Sequence, residues 1–244
     1  MSWEILLIVG YVTALTIIFV FALTQIHLLR YYLKASKTAA NVPQWDLSQE
    51  RDCPKVTVQL PLYNEANVVE RLLACIMQLD YPKEALDIQI LDDSTDETSS
   101  LIEALLPQYL ERGHNIKHIT RAQRTGYKAG ALKEGLVSAQ GAFIAIFDAD
   151  FLPDPLWLKR TIPFFKNPEI STVQTRWAHI NHNASLLTKI QAFALDIHFT
   201  LEQLGRNTLG YFINFNGTAG VWRKTAIRDA GNWQGDTLTE DLDL

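Results

Sequence analysis

The chain has 244 residues and a formal net charge of −5; 48% of its residues are hydrophobic and 20% are charged. That composition belongs to a packed globular protein rather than a disordered one, and its acidic balance supplies no basic field for a phosphate polymer, which excludes general nucleic-acid binding. The cysteines, Cys53 and Cys75, lack CxxC or histidine spacing, so neither a disulfide framework nor a structural zinc site is expected.

From Ile5 to Leu29 no side chain carries a formal charge, a run long enough to cross roughly 30 Å of hydrocarbon. Only Glu4 precedes it and bulky residues follow, so residues 1–30 read as a transmembrane anchor rather than a cleaved signal peptide. Arg30, Lys34 and Lys37 lie just beyond and place the remainder on the cytosolic side. Residues 31–54 are polar, hold two prolines and read as a linker, with a domain over 55–244.

Val56 to Leu60 is a β-branched run suited to a buried strand, followed by a helix with Val68, Leu72, Leu73 and Ile76 on its apolar face. Strands at Ile88–Leu91, Ile116–Ile119 and Phe143–Phe147 then alternate with helices at Leu101–Leu110 and Lys128–Ala139. Such alternation predicts right-handed βαβ units, hence an α/β fold with a mostly parallel sheet whose ligands bind beyond the strands' carboxyl ends. Further on, Ser171–Arg176 reads as a strand. Leu186–Leu204 reads as a core-facing helix with Leu187, Ile190, Phe193, Ala194, Ile197 and Leu201 on one side.

Polar clusters follow three of the strands, and one crevice could collect them: Asn64-Glu65, Asp92-Asp93-Ser94 and Asp148-Ala149-Asp150. Two carboxylates at a strand end can bind a hard divalent cation that keeps positions open for phosphate oxygens, although turns also use aspartate to bond their own backbone. Asp92 and Asp93 could hold a nucleobase edge or ribose hydroxyls, while capping of the next helix explains part of the cluster. Gly126-Tyr127-Lys128-Ala129-Gly130 opens a helix whose amides and dipole favour an anion, with Lys128 adding charge, yet Arg121 stands where a Walker loop needs its first glycine. Thr239-Glu240-Asp241 could equally cap a helix. Asn214, Asn216, Gly217 and Thr218 form a polar break between aromatics that could border a sugar, although core aromatics are the commoner reading. The sequons at Asn183 and Asn216 are expected to stay unmodified on the cytosolic side. No hydrolase, zinc-protease or dehydrogenase motif occurs.

Together the spaced motifs resemble the processive family 2 glycosyltransferases, the group of cellulose, chitin and hyaluronan synthases, over nearly the whole chain. Glucomannan synthases of the cellulose synthase-like branch and their bacterial relatives look most similar, through Val58-Gln59-Leu60-Pro61-Leu62-Tyr63-Asn64-Glu65, Leu91-Asp92-Asp93-Ser94-Thr95-Asp96, the Gly126–Leu132 stretch, Gln174-Thr175-Arg176-Trp177 and the Phe215–Arg223 stretch. The resemblance implies a GT-A domain. It implies Asn64, Glu65, Asp92, Asp93 and Lys128 around a nucleotide-sugar donor, Asp148 and Asp150 on Mg2+ or Mn2+, and Asp241 as general base. Phe215, Asn216, Gly217 and Thr218 would then border the acceptor. Transfer of a hexose from GDP-mannose or UDP-glucose to a growing β-glycan at the cytosolic membrane face, with inversion, is the implied activity. A single transfer to a lipid acceptor and a non-catalytic nucleotide-sugar-binding protein are the alternatives. The family's Gln-x-x-Arg-Trp motif and later membrane helices have no counterpart in these residues. The resemblance therefore implies the front part of a longer protein, and residues 1–244 alone are expected not to polymerise sugar.

Overall fold

A computed structural model describes residues 3–35, 43, 53–236 and 241. It divides into two compact units, Met1–Asn41 with Arg176–Asn214, and Val42–Thr175 with Phe215–Leu244. Residues 176–214 thus group with the N-terminal helix, and the sheet draws on the chain before and after them.

The larger unit is built on a six-stranded sheet: β1 (Val56–Leu62), β2 (Leu86–Asp92), β3 (Ile116–Thr120), β4 (Phe143–Ile146), β5 (Thr172–Gln174) and β6 (Gly220–Arg223), in the order β3-β2-β1-β4-β6-β5. The first four strands are parallel. β6 runs antiparallel to β4, and β5 antiparallel to β6, so each predicted strand exists and β6 is an addition. β1 and β2 are buried on both faces except at Pro61, as parallel strands covered by helices are, yet Thr57, Gln59, Asp87 and Gln89 interrupt their apolar positions. Their polar positions pair sideways: Thr57 Oγ1 donates to Asp87 Oδ2 at 2.9 Å and Gln59 Nε2 to Gln89 Oε1 at 3.0 Å. These cross-strand bonds satisfy groups that burial would otherwise penalise.

The connecting helices are α2 (Val69–Ile76), α3 (Thr98–Glu111) and α4 (Tyr127–Ser138), followed by α5 (Trp157–Thr161). α4 presses on the sheet through Ala129, Leu132 and Leu136, which join Ile144, Ile146, Phe215, Trp222 and Trp233 in one buried cluster.

In the smaller unit α1 (Trp3–Ala35) is a single helix of 33 residues, about 50 Å long at 1.5 Å per residue. It extends beyond the expected 1–30, and its stretch Trp3–Lys34 is long and apolar enough to cross a membrane. α1 packs on α7 (Leu204–Thr208) and on a π-helical stretch, His198–Gln203, that joins α7 to α6 (Leu186–Ile197). Leu28 is buried, and a Cβ on Gly205 would lie 3.2 Å from its carbonyl oxygen. The expectation of a core-facing helix over Leu186–Leu204 is corrected for its first part. α6 buries no residue, and Leu187, Ile190 and Phe193 are exposed. Periodicity reveals an apolar stripe, but not what covers it.

Candidate functional site

The site assembles where β1, β2 and β4 end. After β1, Asn64 adopts a left-handed conformation with φ 59°. Its Oδ1 accepts from Thr95 N at 2.8 Å and its own amide donates to Ser94 Oγ at 3.0 Å, so Asn64 fastens the loop after β1 to the loop after β2. Glu65 turns the other way, into a cavity of about 380 Å³ shared with Pro61, Tyr63, Asp93, Arg124 and Lys128, together with Asp148 and Asp150. Burial, followed by the charges of Asp150, Asp148 and Asp96, pushes the Glu65 carboxyl up from its ordinary value. Negative charge is therefore concentrated at this end of the cavity.

The paired aspartates after β2 separate in role. Asp92 is 3% exposed and accepts hydrogen bonds from Ser94 N at 2.9 Å and Ser99 Oγ at 2.5 Å, with His118 Nε2 at 2.8 Å. Burial opposes its ionisation, yet the bonds to His118, Ser94 and Ser99 win and hold the carboxyl well below the usual range. Asp92 does not line the cavity. Asp93 does, and Arg121 grips it with two nitrogens, Nε at 2.8 Å from Oδ1 and Nη2 against Oδ2. The same guanidinium donates to the carbonyls of Thr125 and Tyr127, both at 2.9 Å, and fixes the turn that launches α4. Gly126 enters that turn at φ 69°, and a Cβ on Gly130 would collide with Thr125 O. The glycines of the Gly126–Gly130 motif thus allow the backbone to close tightly behind Lys128.

From the first turn of α4, Lys128 Nζ reaches Asp148 Oδ1 at 2.6 Å and donates to Gly217 O at 3.1 Å. Asp148 N donates to the buried Thr218 Oγ1 at 2.9 Å. Gln174, from the Gln174-Thr175-Arg176-Trp177 motif, accepts from Asn216 N at 3.0 Å and donates to Thr218 O at 3.0 Å. The 215–218 segment is thereby laced to β4, β5 and α4. Gly217 has φ 74°, and a Cβ there would lie 3.3 Å from Asp241 Oδ2 and 3.5 Å from Lys128 Nζ, which brings the half-buried Asp241 beside Lys128 and Asp148. Phe215 is 3% exposed and packs edge-on against Trp222 at 5.4 Å. Thr239 and Glu240 lie outside the described residues.

The structure thus brings Glu65, Asp93, Lys128, Asp148 and Asp150 to one cavity, with Gly217, Thr218 and Asp241 at its Lys128 side. Asn64, Asp92 and Phe215 are not among the residues that line it. Sequence reasoning missed Tyr63 and Arg124, whose guanidinium carbon lies 3.4 Å from the Tyr63 ring centroid and 5.1 Å from that of Tyr127. The available signal was the Arg121-x-x-Arg124 pair directly before Gly126. Among the described residues no group of three or more His, Cys, Asp or Glu side chains is gathered to hold a metal by protein ligands alone.

An acidic cavity beyond the carboxyl ends of a mostly parallel sheet, closed by two antiparallel strands, is a GT-A arrangement. The chain belongs to glycosyl transferase family 2, whose family model matches residues 57–229. Among curated relatives, the probable glucomannan 4-beta-mannosyltransferase 7 of Oryza sativa subsp. japonica is 47% identical over 78% of this chain and 34% of its own length. Glucomannan 4-beta-mannosyltransferase 2 of Arabidopsis thaliana is 45% identical over 78% of this chain and 37% of its own. The chain therefore spans about a third to two fifths of the curated relatives it matches. In fold it is similar to the mannosyltransferase PcManGT from Pyrobaculum calidifontis, solved in complex with GDP-Man and Mn2+, with a TM-score of 0.66 and 24% identity over 91% of this chain and 60% of that one. Similarity to S. aureus TarS is weaker, with a TM-score of 0.55 and 18% identity over 77% of this chain and 32% of that one.

Proposed function

We propose that this chain carries the donor site of a membrane-anchored, inverting hexosyltransferase that takes mannose from GDP-mannose, or glucose from UDP-glucose, and adds it to a growing β-glycan at the cytosolic face. The observation that carries the reading is the convergence of Glu65, Asp148, Asp150 and Lys128 on one cavity. The mannosyltransferase names of the relatives favour mannose.

The donor set suits Mg2+ or Mn2+. Asp148 and Asp150 are hard oxygen ligands, and such ions take one or two carboxylates and complete their shell with water and substrate phosphate. When bound, the ion would neutralise the diphosphate leaving group. Lys128, at the start of α4, adds a positive charge beside the same phosphates, where helix amides already favour an anion. Asp241 takes the proton from the acceptor hydroxyl as its oxygen attacks the anomeric carbon. The bond to the nucleoside diphosphate breaks in the same displacement, and no covalent enzyme intermediate forms. The 216–218 segment, held by Gln174 and Lys128, positions the acceptor beside Asp241.

Membranes containing the full-length protein, given each labelled nucleotide sugar and then linkage-specific glycosidases, test donor and product together. Asp241→Asn should cut turnover by roughly a thousandfold or more, as loss of a general base allows, and leave nucleotide binding in place. Turnover within tenfold of wild type would remove Asp241 from this role.

A further inference from the structure

We propose that Lys128 is an internal counter-ion: a positioning residue that ties Asp148 to Gly217 and surrenders Asp148 when a divalent cation arrives. The inference rests on the reading that Asp148 and Asp150 hold that cation, and it goes beyond a diphosphate contact for Lys128.

The cavity's acids are not balanced alike. Asp93 is gripped by Arg121, with Arg124 Nε at 3.9 Å. Glu65, Asp148 and Asp150 line the same cavity, and among them the Lys128 ammonium sits 2.6 Å from Asp148 Oδ1. The same ammonium donates to Gly217 O at 3.1 Å, so one charge joins the start of α4, the end of β4 and the segment leading into β6. A divalent ion on the Asp148 carboxylate would stand within a few ångströms of this ammonium, and two cations at that spacing repel. Lysine can yield, because its charge rides on a flexible four-carbon stem and is partly exposed, with 26% of the side chain accessible. Its departure removes a donor from Gly217 O, at the residue whose Cβ position lies 3.3 Å from Asp241 Oδ2. Cation loading on the donor side would thereby release the clamp on the segment beside the proposed base.

The test titrates Mn2+ alone, without nucleotide, into the full-length protein in detergent micelles and reads free Mn2+ by electron paramagnetic resonance. Lys128→Met should bind Mn2+ roughly threefold to tenfold more tightly than wild type, the range open to a partly exposed ion pair. Lys128→Arg should stay near wild type. In the same variants, GDP affinity measured with Mn2+ present should fall for Lys128→Met. A lysine with a merely structural role would weaken both ligands on removal, so opposite signs are the signature. If Lys128→Met does not fold, Lys128→Gln carries the same expectation. Unchanged or weaker Mn2+ binding in the folded neutral variant overturns the proposal. Should wild-type Mn2+ binding be indifferent to Asp150→Asn, the cation reading itself falls and the counter-ion with it; dependence on Asp150 without tightening at position 128 overturns the counter-ion alone.

Discussion

The loops after β2 and β4 both place aspartates at the carboxyl end of a buried parallel strand, yet they spend those carboxylates in opposite ways. After β2, Asp92 is sealed and saturated by Ser94, Ser99 and His118, and Asp93 is clamped by Arg121. After β4, Asp148 meets a partly exposed lysine and Asp150 is exposed to the cavity. A carboxylate whose lone pairs are filled from within the protein holds the architecture. One that meets a movable lysine is available to a ligand. The pattern of acids along the chain is nearly the same in both loops; the partners that fold around them decide.

Substitutions should separate the two loops. The largest effect is expected from Asp148→Asn combined with Asp150→Asn, with a fall in transfer rate by roughly a hundredfold to a thousandfold or more, in line with the loss of charge stabilisation at a leaving group. The melting temperature should move little, and a drop of many degrees would place these carboxylates with the architectural ones. Next comes Asp92→Ala, which leaves the half-buried His118 and Ser99 side chains without their acceptor and should cost roughly 1–3 kcal/mol in denaturant unfolding. Asp92 also sets a pH dependence. Its lowered pKa contributes stability that is fully present above the ordinary aspartate value of 3.8 and is lost as pH falls through the lower folded value. An acid limb that is unchanged in Asp92→Asn would deny it that part.

Gly130→Ala should cost roughly 1–3 kcal/mol, since the clash is with backbone and the turn must open. Glu65→Gln should have the smallest effect. The folded state binds the Glu65 proton more firmly than the unfolded chain does, so stability falls as pH rises through and above the ordinary value of 4.5. Removing the charge should therefore raise stability slightly at neutral pH, by about 0.5 kcal/mol or less, and a loss of stability would contradict the crowding of charge around Asp148 and Asp150.

Much of the sheet was legible in the sequence because β1, β2 and β4 are short segments rich in Val, Ile and Leu, each followed by a polar cluster; the buried Thr57, Gln59, Asp87 and Gln89 find their partners only across strands. β6 was not legible. Gly220–Arg223 is short and directly follows a glycine-bearing break, and its place is fixed by antiparallel pairing to β4, a long-range contact with no local mark. The apolar stripe of α6 was visible, but the partner that determines its exposure is a tertiary matter. In the site, the strand-end rule located Glu65, Asp93, Asp148 and Asp150. The division between Asp92 and Asp93 depended on His118 and Arg121, both contributed by the region around β3. Tyr63 and Arg124 were overlooked because a cation stacked on a ring comes from separate turns, and neither turn announces the other.

On the proposed function, the cavity at the end of β4 binds a nucleoside diphosphate together with a divalent cation. Calorimetric titration of GDP into the full-length protein, with and without Mn2+, tests it most directly. Heat of binding is expected with Mn2+ and should be lost in the Asp148→Asn, Asp150→Asn double variant. Binding of equal strength in the double variant, or binding indifferent to Mn2+, would contradict it.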